Sequence, residues 1–172
     1  MALAQSTPAA SRLGDLQVGG SFTNANSDYG IRINGFGFYS DFDFRRHIGA
    51  EVDFHQLNDY HHAANARIYE RSYEAGGRYF WNFGRFKPYG KGLYGRGVFN
   101  FPLEDPSVPR ANLAFNTLNL GAGVDIAVLK HLNVRAEYEY QHWFGFQQNS
   151  LTPQLITVGV AYHFPPGKPR RR

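Results

Sequence analysis

The stretch Leu155-Ile156-Thr157-Val158-Gly159-Val160-Ala161-Tyr162-His163-Phe164 decides the fold. Its even positions read Ile, Val, Val, Tyr, Phe; its odd positions read Leu, Thr, Gly, Ala, His. A β-strand sends alternate side chains to opposite faces, so one face here is wholly apolar and ends in two aromatics. The other face is small or polar. Small residues and a histidine suit a narrow interior, which turns the apolar face outward, and only lipid favours that arrangement.

The same inversion recurs along the chain. In 15–24, Leu16, Val18 and Phe22 oppose Asp15, Gln17, Gly19, Ser21 and Thr23. In 31–44, Phe36, Phe38, Phe42 and Phe44 oppose Gly37, Tyr39, Asp41 and Asp43; Ile31 and Ile33 have the other parity, which predicts a bulge near Asn34-Gly35. The third strand puts Ile48, Ala50, Val52 and Phe54 out and Gly49, Glu51, Asp53 and His55 in. The fourth, 69–81, puts Tyr73, Ala75, Tyr79 and Trp81 out and Ser72, Glu74, Gly76, Arg78 and Phe80 in. Glycines interrupt the fifth, 88–99, where Leu93 is expected outward with Tyr94 and Arg96 inward, in a register open to a one-residue slip. The sixth turns Leu118, Leu120, Ala122, Val124 and Ile126 out and Thr117, Asn119, Gly121, Gly123 and Asp125 in. The seventh turns Leu132, Val134, Ala136, Tyr138 and Tyr140 out and Asn133, Arg135, Glu137, Glu139 and Gln141 in.

Short turns follow strands two, four and six (Arg45-Arg46-His47, Asn82–Arg85, Leu129-Lys130-His131). Long polar loops follow one, three, five and seven (24–30, 56–67, 100–112, 143–153). That alternation is the signature of an eight-stranded antiparallel up-and-down transmembrane β-barrel, an all-β fold with short turns periplasmic and long loops outside. Outward aromatics gather at predicted strand ends, Phe42, Phe44, Tyr79, Trp81, Tyr162 and Phe164 at one level and Phe22, Phe54, Tyr138 and Tyr140 at the other, as interfacial girdles do.

Composition agrees. The 172 residues include 16% aromatics and 19 glycines, both high for an ordinary globular domain. Mean hydropathy is −0.45, yet alternation hides hydrophobicity from an average. No run is long and apolar enough for a spanning helix. There is no cysteine, hence no disulfide framework and no thiolate site. Net charge is +4, but Lys168, Arg170, Arg171 and Arg172 account for all of it, leaving a neutral body that offers no nucleic-acid-binding face. The expected organisation is a flexible N-terminal segment over 1–13, in which Ala2-Leu3-Ala4 before Gln5 has the small-x-small form of an export cleavage site, then a barrel over 15–164. A basic Pro-rich tail, 165–172, follows, either a headgroup or cell-wall contact or an expression scar.

The candidate functional residues are the ionisable groups of the inward face: Asp15, Asp41, Asp43, Glu51, Asp53, Glu74, Arg78, Arg96, Asp125, Arg135, Glu137 and Glu139. Eight strands leave an interior just wide enough for side chains to fill, so these charges must pair. Centring the hairpin of strands six and seven on Lys130 puts Asp125 across from Arg135, Gly123 across from Glu137 and Gly121 across from Glu139, small against long. The set is richer in acids than bases, and Lys91 is available to share. A structural plug is the favoured reading and a water-filled or gated path the rival. Paired acids also serve glycosidases, but these face a closed lumen.

Other motifs carry less. Gly90-Lys91-Gly92-Leu93-Tyr94-Gly95 fits G-x-G-x-x-G, but a strand continues through Arg96–Phe99 where a dinucleotide site needs a helix. His61-His62, with Asp59 and His55 nearby, read as solvated loop residues rather than metal ligands. Nothing around Ser150 suggests an activated nucleophile, and no His–Ser pair sits on a lipid face as an outer-membrane lipase requires. No catalytic, cofactor or metal site is expected.

With these features the chain resembles the small outer-membrane β-barrel family typified by the OmpA transmembrane domain and its OmpX-like and opacity-protein relatives, over about 15–164. Thr157-x-Gly159-x-x-Tyr162-x-Phe164 matches that family's C-terminal β-signal, and Asn34-Gly35-Phe36-Gly37 and Lys87-Pro88-Tyr89-Gly90 resemble stretches of its second and fifth strands. The resemblance implies that the barrel assembly machinery reads Thr157, Gly159, Tyr162 and Phe164. Eight residues follow Phe164, too few for the peptidoglycan-binding domain of larger relatives, so tethering is not implied. The expectation is a monomer in the outer membrane of a Gram-negative-type bacterium, termini periplasmic, in contact with outer-membrane lipid and lipopolysaccharide. Its loops would meet any surface ligand. A small gated channel and a soluble lipocalin-like binder are the alternatives.

Overall fold

The computed structural model describes residues 14–28, 32–59, 68–100, 112–145 and 150–164. Eight strands follow in chain order: β1 (Asp15–Asn26), β2 (Arg32–Asp43), β3 (Ile48–Asn58), β4 (Tyr69–Phe80), β5 (Phe86–Asn100), β6 (Asn112–Leu129), β7 (Leu132–Trp143) and β8 (Gln154–Phe164). Each pairs antiparallel with its neighbour, and β1 closes on β8 with Leu16 opposite Phe164 and Asn26 opposite Gln154. Closure removes both sheet edges, the condition for a sheet to stand in lipid with no unpaired backbone group.

Strand starts and ends define two rims. The start of β1, the end of β8 and the short turns at 44–47, 81–85 and 130–131 share one rim, called here the terminal rim. The strand ends joined by the long connections lie at the opposite rim. Residues 29–31, 60–67, 101–111 and 146–149 of those connections lie outside the described residues, as do the N-terminal segment 1–13 and the tail 165–172.

The exposed surface of the wall is apolar: Phe36, Phe38, Val52, Tyr94, Leu120, Ile156, Val158 and Val160 all point away from the lumen. Near the terminal rim, outward aromatics pair along the wall, with ring centroids 4.8 Å apart for Tyr79 and Trp81 and 4.6 Å for Tyr162 and Phe164. A charge placed mid-wall on this face must meet hydrocarbon. Val158→Arg, between Phe22 and Ala136 in the register, is therefore expected to cost about 2–4 kcal/mol in urea unfolding from phospholipid vesicles. An unchanged midpoint would contradict a lipid-facing Val158.

Two expectations of strand register are corrected. Strand β2 carries no bulge at Asn34-Gly35; its pairing with β1 runs unbroken from Asp15–Asp43 to Asn26–Arg32. Ile33 keeps its parity because it points inward, fully buried against Ala25, Leu57 and Leu155. The lumen is apolar at that level, so an inward isoleucine needs no change of face. In β5 the faces are reversed: Leu93 is buried, while Tyr94 and Arg96 are exposed. The parity there is set by Lys87, Tyr89 and Lys91, whose polar heads find carboxylates only in the lumen. Among the described residues, the one irregularity of pairing lies in the β6–β7 hairpin, between Ala127 and Leu129.

Candidate functional site in the barrel lumen

The inward faces of the strands build a packed, charged interior. Its centre is Arg135 on β7. The Arg135 Nε donates to Asp125 Oδ1 at 2.8 Å, across the β6–β7 pair, and Nη1 donates to Glu51 Oε1 at 3.0 Å on the opposite wall. Nη2 is paired with Asp41. Arg78 from β4 meets the same three carboxylates, with Nη2 to Asp125 Oδ2 at 2.7 Å, Nη1 to Asp41 Oδ2 at 2.5 Å and Nη1 to Glu51 Oε2 at 3.3 Å. Two guanidiniums thus bridge β2, β3 and β6. Such planar forks suit carboxylates better than an ammonium does. Aromatic rings support them: Arg135 lies 4.0 Å from the Tyr39 ring centroid and Arg78 lies 4.2 Å from that of Tyr89.

One layer further from the terminal rim, Lys91 on β5 takes over. Its Nζ reaches Glu137 Oε1 at 2.8 Å, Glu139 Oε2 at 3.0 Å and Glu51 Oε1 at 3.1 Å, and is paired with Asp53 as well. An ammonium has three protons, so four carboxylates share three donors. Tyr89 adds a fourth donor to this layer, giving its hydroxyl proton to Glu137 Oε2 at 2.5 Å. Room for these long side chains comes from glycine on the facing strands. A Cβ on Gly121 would lie 2.8 Å from Lys91 Cε, and one on Gly19 would lie 2.5 Å from Tyr39 Cζ.

At the terminal rim Lys87 donates to Asp43 Oδ2 at 2.8 Å and lies 3.5 Å from Asp15 Oδ2, while His163 is bonded to Asp15. A polar pocket of about 170 Å³ opens there between Asp15, Asn82, Lys87 and His163. Its floor is Asp125, tied to Arg78 and Arg135. At the opposite rim the lumen is filled by two apolar clusters, Ala25, Ile33, Leu57 and Leu155 beside Phe99, Trp143 and Leu151.

Of the twelve ionisable residues read from the sequence, eleven stand on the lumen side. Asp15 sits half-buried at the rim, and Arg96 is outside, on the exposed face of β5. The pairs foreseen for the β6–β7 hairpin, Asp125 with Arg135, Gly123 with Glu137 and Gly121 with Glu139, are the pairs in the register. Sequence reasoning left Lys91 conditional and missed Lys87 and Glu70. The signal was the shared parity of Lys87, Tyr89 and Lys91, three polar heads on one face of a strand interrupted by glycines. Trp143, expected to open a loop, ends β7 instead, fully buried with its Nε1 donating to Gln141 Oε1 at 2.9 Å. Of the β-signal residues, Thr157 points inward and bonds Thr23 at 2.9 Å, while Tyr162 and Phe164 face outward. Gly159 lies against Tyr39, where a Cβ would come within 2.9 Å of the ring.

A closed eight-stranded barrel, apolar outside and charged within, is a membrane-spanning barrel by its physics. The chain belongs to the outer membrane protein β-barrel domain family, whose model matches residues 1–164. It is thus an outer-membrane protein that crosses the bilayer with strands. Solved structures of the same fold include Neisserial surface protein A, 18% identical with a TM-score of 0.66, covering 88% of this chain and 97% of that one. OprG from Pseudomonas aeruginosa is 15% identical with a TM-score of 0.67, over 89% and 97%. Ail, the attachment invasion locus protein of Yersinia pestis, is 18% identical with a TM-score of 0.61, over 89% and 99%. At such identities the likeness is one of fold. No curated protein sequence matches the chain.

Proposed function

We propose that the protein is a structural and surface-interaction barrel, with its lumen closed by the charge network and its long loops presented to the exterior. The observation that carries this is the layer of Arg78, Arg135 and Lys91 with their carboxylates, which crosses the barrel from wall to wall. Rigid loop bases also support it: Trp143 and Leu151 form a bridge beyond β7, and Asp28 accepts from Thr152 Oγ1 at 2.8 Å. Loops raised on a rigid scaffold are where binding concentrates. The attachment locus protein Ail and the Neisserial surface protein share the fold, which fits a surface role. In this reading the termini are periplasmic, the protein is a monomer, and lipopolysaccharide surrounds the outer part of the wall. No reaction chemistry is assigned.

Because the chain has no cysteine, orientation is directly testable. A membrane-impermeant maleimide should label Phe144→Cys on intact cells but Arg85→Cys only after the outer membrane is opened. The reverse pattern would overturn the orientation and with it the surface role. Shortening 60–67 and 101–111 to tight turns should leave heat-modifiable gel mobility intact and abolish adherence conferred on a non-adherent host strain. Adherence that survives the shortening would count against the loops.

The assembly role of β8 makes a separate expectation. Deleting the aromatic ring by Phe164→Ser should lower the outer-membrane level several-fold while refolding into detergent in vitro proceeds as before. Equal losses in both would point to stability rather than recognition.

A further inference from the structure

Beyond the arginine layer, four side chains from three strands converge on one point. Asp53 and His55, two residues apart on β3, both face the lumen; Glu74 on β4 is the register partner of Asp53; Glu139 reaches over from β7. One donor atom of each lies within 4.8 Å of the others, and all four residues are buried. A cluster of acids alone would say little. Here, however, Asp53 Oδ1, His55 Nε2 and Glu74 Oε2 are buried and without any hydrogen-bond partner. Buried polar atoms are ordinarily satisfied, so three orphans in one cluster call for a ligand.

The remaining atoms of these side chains are held in place. His55 Nδ1 faces Thr23 Oγ1 at 3.4 Å; with the proton on Nδ1, Nε2 presents its lone pair to the cluster. Gln141 Nε2 donates to Glu74 Oε1 at 3.0 Å and to Glu139 Oε1 at 2.7 Å, orienting both carboxylates. Charge balance points the same way. Among the described residues ten buried carboxylates stand against three buried cations, Arg78, Lys91 and Arg135. Both arginines belong to the other layer, and Lys91 is already divided among four carboxylates. A divalent ion would offset two of the cluster's three carboxylate charges, leaving Lys91 shared as it is.

We propose that Asp53, His55, Glu74 and Glu139 bind a divalent transition-metal ion inside the lumen. Three carboxylates and one imidazole suit Zn²⁺, Mn²⁺, Fe²⁺ or Co²⁺, whereas Ca²⁺ and Mg²⁺ prefer oxygen alone. The ion would join β3 and β4 to β7 across the barrel. With apolar clusters at one rim and the arginine layer toward the other, it would enter as the barrel folds.

The test uses untagged protein refolded from urea into detergent micelles in the presence of Co²⁺, then passed through a metal-free sizing column. The wild type is expected to retain about one equivalent of cobalt with a visible d–d band. His55→Gln and Glu74→Gln, shown folded by heat-modifiable mobility, should retain little or no cobalt through the column. The double variant His61→Gln/His62→Gln should retain cobalt like the wild type. A cobalt-free wild type, or a loss that follows His61 and His62 instead of His55, would overturn the site. Should a lumen variant fail to fold, pulsed electron paramagnetic resonance on Mn²⁺-loaded His61→Gln/His62→Gln protein decides: nitrogen coupling from one imidazole supports the site, and its absence overturns it.

Discussion

Arg135→Met is expected to be the most damaging single substitution in the barrel, lowering unfolding free energy by about 3–5 kcal/mol. Methionine keeps the apolar stem and ends two heavy atoms short of the terminal guanidinium nitrogens, so most of the packed volume is retained. What is lost is the positive charge that faces Asp41, Glu51 and Asp125 at once. Arg78 remains, but it already contacts the same three carboxylates and cannot add donors to them. Breaking a buried ion network by removing one partner leaves uncompensated buried charge, which costs far more than the network contributes relative to an apolar core. Arg135→Lys should recover only part of the loss, since an ammonium cannot serve three carboxylates in the plane of a fork. Urea titration in detergent micelles, followed by tryptophan fluorescence and gel mobility, reads the effect. A loss below about 1 kcal/mol, the range of exposed ion pairs, would mean that Arg135 is solvated rather than locked in a dry network.

The second large effect is expected from Gly19→Val. On β1, Gly19 faces the lumen between the Tyr39 ring and the backbone of β8, and a Cβ there would lie 2.5 Å from Tyr39 Cζ and 2.7 Å from the Val160 carbonyl oxygen. The ring is not free to retreat, because the Arg135 guanidinium stacks on it at 4.0 Å. Overpacking of this kind costs about 1–3 kcal/mol. The backbone contact adds to that by straining the β1–β8 seam where the barrel closes. Two controls separate steric from other causes. Tyr39→Leu in the Gly19→Val background should restore part of the stability, since it vacates the space. Gly19→Val combined with Arg135→Met should be less than additive, because both act through the Tyr39–Arg135 contact. Full additivity would place the two residues in independent environments.

The barrel was legible in the sequence wherever the wall consists of bulky apolar residues against small or charged ones. Strands β7 and β8 alternate without a break, and Lys130 at the tip of the short hairpin was enough to bring Asp125 opposite Arg135. Reading failed where that contrast vanishes. In β5 the glycines at 90, 92, 95 and 97 carry no side chain to assign to a face, so the sequence pattern points Leu93 to lipid. The electrostatic demand of Lys91 for the acids of β3 and β7 outweighs it. Reading also failed at the rim away from the termini, for an opposite reason. There the interior itself turns apolar, so Ile33 inside looks like a phase error and Trp143 looks like a loop residue. Alternation distinguishes in from out only while the two environments differ. The convergence of Asp53, His55, Glu74 and Glu139 was hidden for a third reason: Glu139 lies across the lumen from β3 and β4, a proximity that depends on barrel closure and not on any spacing along the chain.

The proposed surface role requires a plugged lumen. Single-channel recording of the wild-type protein in planar lipid bilayers tests this most directly. A barrel crossed by the Arg78, Arg135 and Lys91 layers and capped by Ile33, Leu57, Leu155 and Trp143 should show no steady ion conductance. Steady openings of the wild type that vanish when Arg135 or Glu137 is altered would contradict it, and would make the charge network the wall of a passage.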